Sequence, residues 1–297
     1  MKSPFTGTGV ALVTPFNKDN SINFAALESI VDHCISGGVE YLVALGTTSE
    51  AVTLSKHEKN EVVNTIIKAT SGRIPIVLGL GGNNTAEALQ QLSAGVQSGI
   101  DGILSVVPYY NKPNQDGMFA HFDAIAQCCP LPIILYNVPG RTAANMKAST
   151  TLKLAFKHKN IVAIKEASGD MIQIMEIIRD KPEGFNVISG DDALTLPMLA
   201  VGAEGVISVV ANALSREFSD MVRHQMNNQS SEAKKLHYLL LQTIDLLFAE
   251  GNPAGIKALL ECMGLCSDTV RLPLVSATDA LKLKIKAEWL AINKKTA

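Results

Sequence analysis

The chain has 297 residues, 47% hydrophobic and 18% charged, with a formal net charge of −2. That balance excludes a disordered chain and leaves no basic surplus to hold nucleic acid or an anionic membrane. Aromatic residues at 5% argue against a base-stacking surface, and the length suffices to bury a large core without disulfides or a structural metal.

The opening, MKSPFTGTGVALVTPF, has one lysine but no apolar stretch ahead of the first strand pattern, so no signal peptide is expected. No apolar run approaches a membrane span. The five cysteines match no disulfide framework, and a cytoplasmic protein with free thiols is expected. Cys128–Cys129 and the pair Cys262 and Cys266 have no histidine nearby. Zinc needs about four nitrogen or sulfur ligands, so these are read as buried structural cysteines.

Strand-like and helix-like patterns then alternate. Near-continuous apolar runs predict parallel strands over residues 9–14, 41–45, 75–79, 102–107, 132–137, 161–165, 186–190 and 205–210. Between them, helices are predicted over 23–36, stopped by Gly37–Gly38; over 57–70, after Ser55 as N-cap; over 85–98; and over 116–128. After about residue 215 no strand-like run follows. A long amphipathic helix is expected over 230–250. Asn252–Pro253 reads as an N-cap and a first-turn proline, opening a helix that stops near Gly264. Ser276–Ala277–Thr278–Asp279 resembles a capping box ahead of a last helix over 281–294. An open doubly wound sheet usually shows a glycine fingerprint after its first strand; here that place holds Thr14–Pro15. The fold class expected is α/β: a (β/α)₈ TIM barrel over residues 1–225 with a C-terminal helical region over 226–297.

Barrel active sites gather at the C-terminal ends of strands. Lys165 closes the run Ile161–Ile164, and loss of hydration among apolar neighbours favours the neutral amine, which attacks carbonyls to form imines. Taken alone, Lys165 reads equally as a lysine leaving a strand end towards water. Its neighbours favour the first reading. Tyr136, one strand away, supplies a phenol for proton relay. Thr47 can hold that phenol, and Thr48 offers a hydroxyl and a backbone N–H to a carboxylate. Arg141 adds a fork of donors suited to a carboxylate. No cluster of His, Asp and Glu has metal-ligand spacing; Asp191–Asp192 is read as structural or helix-capping.

GTTSE (46–50), PYYNKP (108–113), YNVPGRT (136–142), IKEASGD (164–170) and SGDD (189–192) resemble, in order and spacing, the motifs of the dihydrodipicolinate synthase family. That family belongs to the pyruvate-dependent class I aldolases, together with N-acetylneuraminate lyase. The match runs from Gly7 to about Asn212 and includes the helical tail. The resemblance implies condensation of pyruvate with aspartate 4-semialdehyde, at the entry to diaminopimelate and lysine synthesis, without a metal or cofactor. It implies Lys165 as the Schiff-base lysine, Tyr136 as the proton-relaying phenol, and Thr47 and Tyr110 as relay partners. Tyr110 would cross to a neighbouring subunit of a homotetramer built as a dimer of dimers. Thr48 would bind the pyruvate carboxylate and Arg141 that of the semialdehyde. Ile207 would face the lysine through its backbone carbonyl, and Gly190 would line the substrate site. An allosteric lysine site would use Ala51, Lys56, Asn83, Glu87 and Tyr109. Lys56 and Lys59 would there oppose a dicationic ligand, so weak or absent inhibition is expected. Ser49 stands where the family usually has glycine, and Gly255 where NPxPxK has its second proline. Arg141 and Tyr109–Tyr110 favour the synthase over a sialic-acid-type lyase. Two other readings stay open: another pyruvate aldolase acting on a sugar acid or an aromatic aldehyde, and a non-catalytic metabolite-binding barrel.

Overall fold

The computed structural model describes residues 5–296. Residues 1–4, the start of the stretch read above as carrying no leader, lie outside them. Along the chain run β1 (Gly7–Ala11), α1 (Phe24–Ser36), β2 (Tyr41–Ala44), α2 (Lys56–Thr70), β3 (Ile76–Gly79), α3 (Thr85–Ser93), β4 (Gly102–Val106) and α4 (Gln115–Cys128). There follow β5 (Ile133–Asn137), α5 (Pro139–Thr142), α6 (Ala148–Lys157), β6 (Ile161–Glu166), α7 (Met171–Asp180), β7 (Asn186–Ser189), α8 (Thr195–Ala200) and β8 (Gly205–Ser208). The last elements are α9 (Ser215–Met226), α10 (Ser230–Phe248), α11 (Ala254–Cys262) and α12 (Asp279–Thr296). The strands close into a barrel in the order β1 to β8, the α/β barrel expected.

Two compact units divide the chain, one built on Pro75–Ile207 and the other on Gly7–Ile74 with the chain from Ser208 onward. In the first, parallel pairing runs from β3 to β8. Val77, Ile103, Ile133, Ile134, Leu135, Ile164, Val187, Ile188 and Val206 are fully buried, as strands covered on both faces require. Helix α3 ends five residues early, because Gly95 turns left-handed at φ 93°.

In the second unit β1 pairs with β2, Gly9 opposite Tyr41. A Cβ on Gly9 would lie 2.2 Å from the Tyr41 ring, so glycine there lets the buried ring lie against the strand. β1 ends at Ala11, not residue 14, because Asn212 takes over its hydrogen bonds. The Asn212 amide donates to Ala11 O at 2.8 Å, and its Oδ1 accepts from Val13 N at 3.1 Å. β8 stops at Ser208, not residue 210, where the Ser208 hydroxyl accepts from Ala211 N and a 3-10 turn begins.

Two capping expectations are corrected. Asn252 does not cap α11: Pro253 holds the N-cap position with no side-chain bond, and the Asn252 amide donates to Thr48 Oγ1 at 3.0 Å. Helix α12 is capped by Thr278 rather than Ser276, its hydroxyl oxygen accepting from Leu281 N. Glu250, from the end of α10, acts as the box's acid, accepting from Thr278 N at 2.8 Å and the Thr278 hydroxyl at 2.6 Å. The capping box that does form is that of α2, between Ser55 and Glu58.

The five cysteines are free. Cys129 is buried as expected, whereas Cys128, Cys262 and Cys266 are only half-buried, Cys128 because it ends α4 with Sγ beside the Ser93 hydroxyl. Among the described residues no helix is long and apolar enough to cross a membrane.

Gly255 explains its own departure from the family motif. A Cβ there would lie 2.2 Å from Leu247 O, so α11 rests directly on the α10 backbone. Gly→Ala inside a helix ordinarily gains about 1 kcal/mol. Here overpacking, typically about 1–3 kcal/mol, opposes it, and Gly255→Ala is expected to lower the urea midpoint. An unchanged or higher midpoint would show that the two helices separate without cost.

Candidate active site

In the first unit, the ladder sets Tyr136 of β5 directly beside Lys165 of β6. Residues in register share a face, so both side chains point the same way and their successors, Asn137 and Glu166, point the other. Lys165 is 6% and Tyr136 7% exposed, with Lys165 Nζ 4.4 Å from the centre of the Tyr136 ring. Gly190, just past β7, leaves room for the lysine: a Cβ there would stand 3.1 Å from Lys165 Cε and 2.7 Å from Ala167 Cβ. Ile207 of β8 is buried; the pairings Lys165–Ile188 and Ile188–Gly205 put it, two residues on, on the lysine's face. A buried amine, a phenol against it and an open glycine position together suit imine chemistry on a small keto acid.

On the opposite face Glu166 is fully buried. It accepts from Ser168 N at 2.9 Å, from the Asn137 amide at 3.0 Å and from the Gln173 amide at 3.1 Å. Burial pushes its carboxyl above the ordinary range, against the pull of those donors. The Asp191 carboxylate accepts from Ala193 N and Leu194 N, the structural use expected of that acid.

Arg141 is exposed on the short turn of α5, and among the described residues its guanidinium has no recorded partner. Tyr109 is 37% and Tyr110 88% exposed. Tyr110 holds a left-handed backbone at φ 73°, uncommon for a bulky side chain. Lys165, Tyr136 and Gly190 thus meet directly, whereas Arg141 and Tyr110 extend into solvent.

In the second unit, the chain after β2 tightens into a 3-10 turn, Thr47–Ser49. Thr47 is exposed and Thr48 buried. Ser49 donates its hydroxyl to Gly46 O at 2.7 Å. The left-handed residue here is Glu50, at φ 55°, so serine in place of glycine places no strain at position 49. Glu50 is held from the end of the chain: Lys257 Nζ donates to Oε1 at 2.5 Å and Arg271 N to Oε2 at 2.9 Å. The Lys257 and Glu50 side chains are 0% and 1% exposed, and Lys257 Nζ also donates to Thr269 O and lies 4.2 Å from the Phe16 ring centre. Burial lowers the lysine's pKa and the carboxylate opposes that shift. Arg271 also binds Glu58 and Thr53 O, and holds the Glu58 carboxyl down at about 2. Sequence reasoning missed this network. Its signal was a charged residue in each of two motifs, but no local pattern pairs residues 207 apart.

Of the residues tied to an allosteric site, Ala51 is half-buried and Lys56, Asn83 and Glu87 are exposed. Lys56 opens α2, and Glu87 lies in the first turn of α3 with Gln91 donating to it. Among the described residues no group of three His, Cys, Asp or Glu side chains is placed to hold a metal ion.

The 4-hydroxy-tetrahydrodipicolinate synthase of Flavobacterium psychrophilum is 52% identical over 281 residues, covering 95% of this chain and 96% of that protein. The crystal structure of dihydrodipicolinate synthase from Aquifex aeolicus superposes with a TM-score of 0.93 at 39% identity, covering 97% of this chain and 98% of the other. That of the Cyanidioschyzon merolae enzyme with lysine bound gives 0.94 at 38% identity, covering 98% and 99%. The model of the Dihydrodipicolinate synthetase family matches residues 4–291. With a family match over nearly all of the sequence and a half-identical relative of the same length, the chain belongs to the dihydrodipicolinate synthetase family.

Proposed function

We infer that this chain is a lyase of the class I aldolase type that condenses pyruvate with L-aspartate 4-semialdehyde to 4-hydroxy-tetrahydrodipicolinate, the first committed step of diaminopimelate and lysine synthesis. The observation that carries the reading is the buried Lys165 amine lying over the Tyr136 ring. The amine adds to the pyruvate ketone, water leaves, and the cationic imine draws electrons from the methyl group. That carbon becomes an enamine nucleophile and attacks the aldehyde. Tyr136 delivers the proton to the departing water, with Thr47 and Tyr110 as its relay partners. Thr48 binds the pyruvate carboxylate; because its oxygen already accepts from Asn252, its O–H remains free to donate. Arg141 receives the semialdehyde carboxylate. The Ile207 carbonyl and Gly190 border the lysine.

The exposure of Tyr110 supports its insertion into a second subunit, and with it a homotetramer built of two tight dimers. We place the enzyme in the cytoplasm, with small-molecule partners only. At an effector site formed by Ala51, Lys56, Asn83, Glu87 and Tyr109, Lys56 and Lys59 oppose a dicationic ligand, so lysine inhibits weakly or not at all.

A coupled assay tests the reading. Pyruvate with aspartate semialdehyde should turn over, and pyruvate with sugar-acid or aromatic aldehydes should not; the reverse preference would assign the chain to another aldolase activity. Tyr136→Phe removes one hydroxyl and little volume. Its turnover number should drop by about 10²–10⁴-fold, the usual worth of general acid–base help, with circular dichroism unchanged. Wild-type turnover in that variant would remove Tyr136 from the relay.

A further inference from the structure

Arg141 rides on residues 138–147, between β5 and α6, and that segment is tied down with unusual completeness. From within, the Thr142 hydroxyl lies 2.8 Å from Ala144 O and 3.1 Å from Val138 O. From β5, Asn137 Oδ1 accepts from Met146 N at 3.0 Å and its amide donates to Asn145 Oδ1 at 2.8 Å. From α7, Gln173 Oε1 accepts from the Asn145 amide at 2.9 Å, while its own amide donates to Met146 O at 3.2 Å. From the start of α4, Gln115 donates to Asn145 O at 2.8 Å, and its Oε1 accepts from Lys147 N and the Thr150 hydroxyl.

The straps from β5, α7 and α4 are all side-chain amides, and an amide can turn over, exchanging donor for acceptor. What fixes the polarity is Glu166. An ionised carboxylate only accepts. It takes the N–H sides of both Asn137 and Gln173, which leaves Asn137 Oδ1 for Met146 N and Gln173 Oε1 for the Asn145 amide. The same residue is followed by Ser168 N, which donates to it and closes the strand end.

We propose that Glu166 is a positioning residue for the second substrate: by fixing the orientation of the Asn137 and Gln173 amides it locks residues 138–147, and so sets where Arg141 presents its guanidinium to the aldehyde's carboxylate. This rests on the reading of Arg141 given above. Glu166 touches no substrate. It faces away from Lys165 and acts through the loop, so its loss moves the second substrate's binding and spares the first step.

The isosteric variant Glu166→Gln puts a donor against one of the two amides and frees it to turn. The expected result is a rise of about tenfold or more in the KM for aspartate semialdehyde, the usual scale for one charged contact. The KM for pyruvate should stay within about twofold, and borohydride trapping of pyruvate on Lys165 should proceed at the wild-type rate. A double-mutant cycle with Arg141→Ala adds a readout that general damage would not give: once Arg141 is gone, Glu166→Gln should raise the semialdehyde KM no further. Additive effects, or parallel rises in both KM values, would overturn the proposal. If Glu166→Gln does not fold, Gln173→Met, which removes one of the two amides that Glu166 orients, takes its place in the identical cycle with the same two outcomes. Failure of pyruvate and borohydride to label wild-type Lys165 is a separate result, and would overturn the aldolase reading together with this one.

Discussion

Lys165→Ala is expected to abolish turnover and, with it, the mass that pyruvate and borohydride add to the wild-type protein. The adduct in the wild type should map to the peptide that holds Lys165. Among the described residues the Lys165 amine is the group on its face of the β6 end suited to imine formation: Tyr136 on one side is a phenol, and Ile188 on the other brings no nucleophile. Lys165→Arg keeps a positive charge yet cannot form the imine, so it should be as inactive as the alanine variant. An adduct on another lysine, or measurable turnover in either variant, would sink the assignment.

The largest effect on stability is expected far from Lys165 in sequence. Lys257→Met leaves the buried Glu50 side chain without its cation. Breaking a buried pair from one side typically costs about 3–5 kcal/mol, whereas replacing both partners by neutral groups of similar volume is often near neutral. Lys257→Met should therefore lower stability by that amount in urea unfolding, and adding Glu50→Gln should return most of the loss. The same single variant should raise the KM for pyruvate, because Glu50 ends the turn that carries Thr47 and Thr48. A loss below about 1 kcal/mol for Lys257→Met, with no change in pyruvate binding, would show that the pair neither stabilises the fold nor holds the turn.

The barrel was legible in the sequence because strands buried on both faces are apolar at nearly every position, and eight such runs separated by amphipathic segments admit few architectures. Lys165, Tyr136, Thr47, Thr48 and Arg141 stood out as candidates because each closes a strand-like run or follows one within a few residues, and of these the structure sets Lys165 and Tyr136 side by side. What the sequence concealed depends on side chains that reach across the fold. Asn212 cuts β1 short from the far end of the barrel sequence. Asn252 has the composition of a cap, but Thr48 competes for its amide and wins. Glu166 stands inside a motif already singled out, next to Lys165. Strand alternation turns it to the face away from Lys165, where it meets Gln173 of α7, and that alternation was the available signal. Ser49 is the opposite case: its departure from the family pattern suggested a change in the turn, yet the left-handed position belongs to Glu50.

The bonds from Asn252, Lys257 and Arg271 to the turn after β2 also fix a moment in biosynthesis. A ribosome has translated Thr47, Thr48 and Glu50 long before it reaches the codons for their supports, which lie 204 to 221 residues downstream. Domains tend to fold as units once their sequence has emerged. The nascent chain therefore exposes an unsupported acidic residue and an unanchored carboxylate turn until almost its whole length has cleared the exit tunnel. A chain cut before residue 252 would lack all three supports of that turn.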